Sequence, residues 1–413
     1  MIKSKIKVGI DKICFYSPGY YLDLKTLAAA RGIDYNKYYV GLGQREMAIA
    51  PPDEDIVTMA ANAAEQALRG VDKESIDTLL FATESCIDQS KAAGVFVHDL
   101  LKLSPHCRVV ELKQACYSAT AALQLALSKL IVEPDKKVLL IASDISRYGL
   151  NTPGESSQGA AAVAMVLSAN PRILAIEPGS GLHTQDIMDF WRPNYLTEAI
   201  VEGKYSSKMY LQALEKTWSR YCDVTKRSFA DHQHFCYHNS VPRLVEKAHV
   251  ALAKQNQLDL SQELLDKQIQ DTLIYGRRTG NSYTAALYIS LASLLDNNAL
   301  NLDENRVGFY SYGSGCVAEF FSGVIQTGYK YLIDKPFHQH LFKDRQELDI
   351  NEYEKLYDFT YPQDGRQLSI PRYTQGRFRL SEINKHKRLY EKTQNSIATV
   401  VSHEELDHQS IAG

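Results

Sequence analysis

The sequence predicts an α/β fold in which one layered unit is used twice, with two interior helices at its centre. Three observations lead there. Short apolar or β-branched runs alternate with longer helical patterns along all 413 residues, the signature of βαβ units. Two helical stretches carry no charge, Ala115–Ser128 (ACYSATAALQLALS) and Thr279–Leu295 (TGNSYTAALYISLASLL), and a helix apolar on every face has to be buried on every face. Each opens with a turn and a small polar or nucleophilic residue. Each is followed by a β run, KKVLLIASD after the first and NRVGFYSYGSG after the second.

The individual elements follow from the same periodicities. Strands are predicted at Lys7–Gly9, Thr78–Thr83, Lys137–Ser143, Ala161–Leu167, Ile173–Glu177, Phe235–His238, Arg306–Tyr312 and Phe320–Ile325. Helices are predicted at Asp55–Leu68, Lys91–Leu101, Ser118–Leu130, Met209–Tyr221, Pro242–Lys254, Ser261–Asp266 and Ser282–Leu295. The expected division is into halves, residues 1–170 and 171–413.

Composition narrows the class. With 45% hydrophobic residues the chain can bury a large core, and 46 basic against 49 acidic residues give a net charge of −3. That balance gives no global attraction to nucleic acid or to an anionic membrane, so any anion site is local. Seven cysteines (Cys14, Cys86, Cys107, Cys116, Cys222, Cys236 and Cys316) form an odd, scattered set that suits a reducing compartment better than a disulfide framework. The start, MIKSKIKVGIDKICFYSPGYY, alternates like a strand and lacks the apolar core of a signal peptide. No run reaches the roughly 18 apolar residues of a membrane span. A cytoplasmic enzyme with no nucleic-acid or membrane partner is the expectation.

Candidate chemistry gathers at the ends of these elements. Cys116 stands at the start of the first charge-free helix, where unpaired N–H groups favour a thiolate and can hold an oxyanion. Position alone also fits a small buried hydrophobe. Glu84 follows the run Thr78–Thr83 directly, beyond the carboxyl end of a strand where ligands gather, so it can serve as general base. His238 ends the strand HFCYH and precedes the helix PRLVEKAHVALAKQ, which Pro242 starts. Arg243 and Lys247, four apart on that helix, share a face able to grip a phosphate, or simply a solvated face. His232, His234, Cys236 and His238 recur every second position, yet four ligands along one strand lie too far apart to converge on zinc. Asn281 can cap the second charge-free helix or donate to a substrate carbonyl, and Ser311–Gly315 (SYGSG) is a turn that admits close backbone approach.

Together these residues resemble the thiolase superfamily, and ATES at Ala82–Ser85 with KQACYSATAALQ at Lys113–Gln124 narrows the resemblance to bacterial 3-hydroxy-3-methylglutaryl-CoA synthases. Supporting matches span nearly the whole chain in order. They include GIDKICFYSPGYYLDL, ARGIDYNKYYVGLGQREMA, ASDISRYGLNTPGESSQGAAAVAMV, DFWRPN, GNSYTAALYISLASLL, YSYGSGCVAEFFSG and GRFRLSEINKHKRLYE. The resemblance implies a thiolase-like αβαβα layered fold of two similar halves, each with a mixed sheet and a buried central helix. It implies condensation of acetyl-CoA with acetoacetyl-CoA, with Cys116 as acyl acceptor, Glu84 as general acid/base and His238 anchoring the second substrate and handling protons. Asn281 and Ser314 match positions that contact the acetoacetyl or product portion, as do Asp34, Ser157 and Ser206, and Lys247 matches a lysine near the CoA moiety. A homodimer is implied, and no metal or organic cofactor. The chain departs from the family in reading Asn239-Ser240-Val241-Pro242 after His238, and in Arg243 where lysine is frequent; both concern the CoA tail. Acyl-carrier-protein substrates of polyketide β-branching, a ketoacyl-synthase-like condensation, thiolase cleavage and a non-catalytic binding role are the alternatives on this fold. Glu84 argues against the ketoacyl-synthase and thiolase types, which rely on paired histidines or a second cysteine.

Overall fold

A computed structural model describes residues 6–393. Every strand and helix predicted above is present. The main strands are β1 (Val8–Tyr16), β2 (Ile76–Ala82), β3 (Arg108–Leu112), β4 (Lys137–Ser146), β5 (Gly159–Ala169), β6 (Leu174–Ile176), β7 (Gly181–Thr184), β8 (His234–Tyr237), β9 (Arg306–Gly313) and β10 (Val317–Ile325). They form one sheet in the order β8-β9-β10-β6-β1-β5-β4-β2-β3, with β7 pairing β10 off this path.

The order mirrors itself about the β1–β6 junction. In the first half β2 is parallel to β4, β4 antiparallel to β5, and β5 antiparallel to β1. In the second β8 is parallel to β9, β9 antiparallel to β10, and β10 antiparallel to β6. One mixed array is thus built twice. Antiparallel pairing of Val8–Ile10 with Leu174–Ile176 joins the two into a continuous sheet. Strands β4 and β5 are buried almost throughout, as strands covered on both faces are.

The helices that matter here are α1 (Ile56–Ala67), α2 (Ala93–Leu101), α3 (Ser118–Val132), α4 (Gly203–Thr225), α5 (Pro242–Gln255), α6 (Gln262–Leu273) and α7 (Ala286–Asn297). Asp55 starts α1 by accepting from the N–H groups of Val57 and Thr58, while Thr58 returns a bond to Asp55 N. Pro242 occupies the first turn of α5, where its missing N–H costs nothing. Helices α3 and α7 meet through Thr120 Oγ1 and Tyr288 OH, 2.9 Å apart.

The interior position expected of both charge-free helices holds for α7, which is buried from Ala286 to Asp296. It holds only in part for α3. That helix rests on β4, β2 and β5 along one side, but Leu125, and Ile131 and Val132 beyond the charge-free stretch, are 61%, 56% and 78% exposed, with nothing among the described residues covering that side. The 18-residue stretch Ala115–Val132 is also long and apolar enough to cross a membrane by length and composition, contrary to the sequence expectation. Its other face nonetheless packs on the sheet.

Several short elements were not legible in the sequence: strands Tyr20–Asp23 and Glu46–Ile49, helices Leu24–Ala30, Lys335–Lys343 and Ile350–Tyr357, and the hairpin Phe378–Asn384 with Lys387–Lys392. Most have half-exposed faces and too few residues for a clear period. The polar tail after Thr393 lies outside the described residues.

Candidate active site

Cys116 occupies the tight turn that leads into α3. Tyr117 N–H donates to Gln114 O (3.1 Å) and Ser118 N–H to Ala115 O (3.2 Å), so the turn consumes the N–H groups just after the cysteine. Ala115 holds a left-handed φ of +44°, a strained setting for a residue with a Cβ. The second half clamps this turn. Gln114 Nε2 donates to Ser314 O (3.3 Å), and Tyr117 OH to the buried Glu319 Oε2 (2.8 Å). A Cβ on Gly313 would come within 2.6 Å of Tyr117 Cβ, so the two turns touch only because residue 313 lacks one.

Glu84 stands just past β2, as its place in the sequence predicts. Its N–H donates to Asp144 Oδ1 (2.9 Å), which also accepts from Thr83 Oγ1 (2.8 Å). The other Asp144 oxygen accepts from Thr284 N–H (3.1 Å) and from the Thr284 hydroxyl. A buried carboxylate on β4 therefore pins the end of β2 to the turn before α7. Across this frame Cys116 Sγ donates to Glu84 Oε1 at 3.0 Å. Both side chains are half-buried, so a substrate can reach them.

The electrostatics correct one expectation. The Cys116 thiol is pushed well up by burial and then by Glu84, so the resting residue is a thiol and not a thiolate favoured by the helix end. Glu84 is raised to about 8, first by burial and next by Asp144. The two acids share one environment and titrate as a pair.

His238 follows β8, its N–H bound to Tyr310 O (2.8 Å) and its carbonyl accepting from Tyr210 OH (2.9 Å). It is buried, its Nδ1 has no partner, and burial lowers its pKa to about 4, so the imidazole is neutral. No hydrogen bond joins it to Cys116 or Glu84 among the described residues. It shares their end of the sheet through the parallel β8–β9 pairing, since β9 leads into the turn that carries Ser314. Its strand neighbours diverge as the strand spacing requires: His232 Nε2 contacts Tyr221 OH (2.9 Å) and Cys236 lies in the core.

The remaining predicted residues separate into two groups. Asn281 and Ser157 lie together: Asn281 N–H donates to Ser157 O (3.2 Å), and Asn281 Oδ1 caps the following turn by accepting from Tyr283 N–H (2.9 Å). Ser314 meets the nucleophile turn as described. Ser206 reaches the site only indirectly, donating to Asp189 Oδ2 (2.9 Å). Asp34 is exposed and spends Oδ1 on Asn36 N–H (3.0 Å), a local turn contact. The shared phosphate grip is corrected as well: Arg243 is held by Glu246 and by Val40 O (3.0 Å), whereas Lys247 is exposed and has no ion pair among the described residues.

Sequence reasoning missed four contributors. Asp144 and Arg192 flank Glu84, and the Arg192 guanidinium donates to Glu84 O. Tyr148 and Tyr283 stand with ring centroids 6.5 Å apart, close enough to Glu84 and Cys116 to feel their charge. Tyr283 holds a φ of +46° with its buried hydroxyl unpartnered, the kind of strain that collects at ligand contacts. The only signal in the sequence was the quoted strings ASDISRYG, DFWRPN and GNSYT, whose spacing gave no reason to bring them together.

Comparison with known proteins places this geometry. The chain is 45% identical over 358 residues to a hydroxymethylglutaryl-CoA synthase of Enterococcus faecalis, covering 86% of this chain and 93% of that protein. It is 34% identical to the polyketide biosynthesis 3-hydroxy-3-methylglutaryl-ACP synthase PksG of Bacillus subtilis, covering 85% and 88%. Its fold superposes on a crystal structure of an HMG-CoA synthase complexed with CoA with a TM-score of 0.89, at 41% identity, covering 94% of this chain and all of that one. The thiolase-like α/β fold is therefore shared with these proteins. The models of the hydroxymethylglutaryl-coenzyme A synthase N terminal and C terminal domains match residues 4–171 and residues 174–253 and 245–396, and the chain belongs to the hydroxymethylglutaryl-coenzyme A synthase family.

Proposed function

We propose that the protein condenses acetyl-CoA with acetoacetyl-CoA and water to give 3-hydroxy-3-methylglutaryl-CoA and CoA, through an acetyl-Cys116 intermediate. The observation that carries this is the Cys116 Sγ donation to Glu84 Oε1 at 3.0 Å, which gives a protonated nucleophile its own base. Glu84 takes the thiol proton as sulfur attacks the acetyl thioester. Because the turn consumes the N–H groups of Tyr117 and Ser118, the oxyanion donor left there is the N–H of Cys116 itself. CoA leaves with the proton. Glu84 then removes a methyl proton from the acetyl group, and the enolate attacks the ketone carbon of acetoacetyl-CoA. The same proton returns from Glu84 to the alkoxide, while neutral His238 and Asn281 donate hydrogen bonds to that oxygen. Water hydrolyses the Cys116 thioester, and the product departs.

Mass spectrometry after mixing with acetyl-CoA tests the reading. An acetyl group is expected on the Cys116 peptide of the wild type and not on Cys116→Ala; a covalent label surviving in Cys116→Ala removes the assignment. Turnover on acetoacetyl-CoA, compared with the acetoacetyl-carrier protein, decides between the CoA reaction and polyketide β-branching.

The proposal includes a homodimer. Supporting it are the edge of the sheet at β3, which carries the exposed Val110, and the apolar side of α3 that exposes Leu125, Ile131 and Val132. Leu125→Arg is expected to shift the sedimenting species from dimer to monomer. An unchanged dimer would assign the interface elsewhere.

A further inference from the structure

Arg192 stands on a small hairpin, Phe190–Trp191 paired with Ile200–Val201, that folds over Glu84. The hairpin is tied at both ends. At its base Asp189 accepts from Tyr312 OH (2.8 Å), Gly315 N–H (2.9 Å) and Glu202 N–H (3.0 Å). Toward its far end Ala199 N–H donates to Arg147 O (3.1 Å), and Arg147 pairs with Glu198 (3.4 Å). A guanidinium so placed is held over the site by main chain on both sides.

Its charge is uncancelled. Arg192 forms no ion pair with a carboxylate among the described residues, and its contact is with the carbonyl oxygen of Glu84. The groups facing Glu84 are Cys116 from the turn before α3, Asp144 from β4, Tyr148 just beyond β4, Tyr283 from the turn before α7, and Arg192. Asp144 is a buried acid; the thiol and the two phenols are neutral. Arg192 is the cation among them.

We propose that Arg192 is a positioning residue for Glu84, holding its main chain and supplying the positive charge that keeps its carboxylate available as a base. The inference rests on the reading of Glu84 as the base of the condensation. Burial and Asp144 both favour the protonated acid; the Cys116 hydrogen bond opposes them first, and Arg192 next as the positive charge beside Glu84. A lysine keeps the charge without the planar reach to the carbonyl, so the two functions of Arg192 can be separated.

The experiment uses Arg192→Gln and Arg192→Lys of the full chain, with two readouts. The first follows the Glu84 carboxyl stretch of the free enzyme against pH by infrared difference spectroscopy, with Glu84→Gln as the blank. The second follows single-turnover condensation of the acetylated enzyme with acetoacetyl-CoA over the same pH range. In Arg192→Gln the carboxyl titration is expected to move up by roughly 0.5–1 pH unit, the size of one partly screened charge. The acid limb of condensation should move with it, lowering the rate near neutral pH about three- to tenfold and recovering at higher pH. Arg192→Lys should titrate close to the wild type. A carboxyl titration in Arg192→Gln that superimposes on the wild type overturns the inference, whatever happens to the rate. A shifted titration in an enzyme that never becomes acetylated upholds the role of Arg192 and overturns the reading of the reaction instead.

Discussion

Glu84→Ala is expected to become acetylated on Cys116 and then to fail at condensation, by roughly 100- to 10,000-fold, the contribution of a positioned general base. The two halves of this outcome have separate causes. After burial, Glu84 is the largest influence holding the proton on Cys116, so its removal makes the thiol easier to ionise and compensates the first step for the lost base. Nothing compensates the second step, because abstraction of a methyl proton needs a base at that spot. The measurement is intact mass during a single turnover with acetoacetyl-CoA: the acetyl adduct should form and persist. An adduct that is consumed within tenfold of the wild-type rate would place the base elsewhere. In the wild type, condensation should rise with pH through about 8, since a carboxyl whose pKa is raised accepts a proton only above that value.

Asp144→Ala should cost on the order of 2–5 kcal/mol of stability, because its removal leaves the N–H groups of Glu84 and Thr284 and two threonine hydroxyls short of an acceptor in the interior. The upper end is tempered by relief from burying a charge, and by the Thr284 hydroxyl, which already reaches Ala82 O at 3.3 Å. A fall in melting temperature of roughly 2–6 °C follows for a chain of this size. Asp144→Asn retains one acceptor oxygen and should lose about half as much. Both variants remove a negative neighbour of Glu84, so the acid limb of condensation should move to lower pH, opposite to Arg192→Gln. A variant that melts with the wild type and keeps its pH profile would show that Asp144 is not the bracket between β2 and the turn before α7.

What was legible in the sequence was local. Glu84 could be read because an apolar run ends just before it, Cys116 because a helical stretch without charge begins beside it, and Asn281 because a small polar residue in TGNSYT invites a cap. Asp144, Arg192 and Tyr283 could not be read in this way. They meet Glu84 across 60, 108 and some 200 positions of chain, and no period in the sequence encodes such a meeting. Arg243 was over-read, since helical spacing put it beside Lys247 but could not show that Glu246 would take its guanidinium.

The sequence by itself determined the longer elements, the repeated unit and the residue types that do the chemistry, because hydrophobic period, turn residues and capping act within a few positions of chain. Tertiary structure alone decided two other matters. The stretches Ala115–Ser128 and Thr279–Leu295 are equally free of charge, yet Leu125 in the first is exposed while α7 is enclosed, because burial depends on what packs alongside and not on composition. Cys116 is a thiol and Glu84 a weak acid for the same kind of reason: ionisation answers to the charges and the low dielectric within a few ångströms, and those neighbours come from every part of the chain.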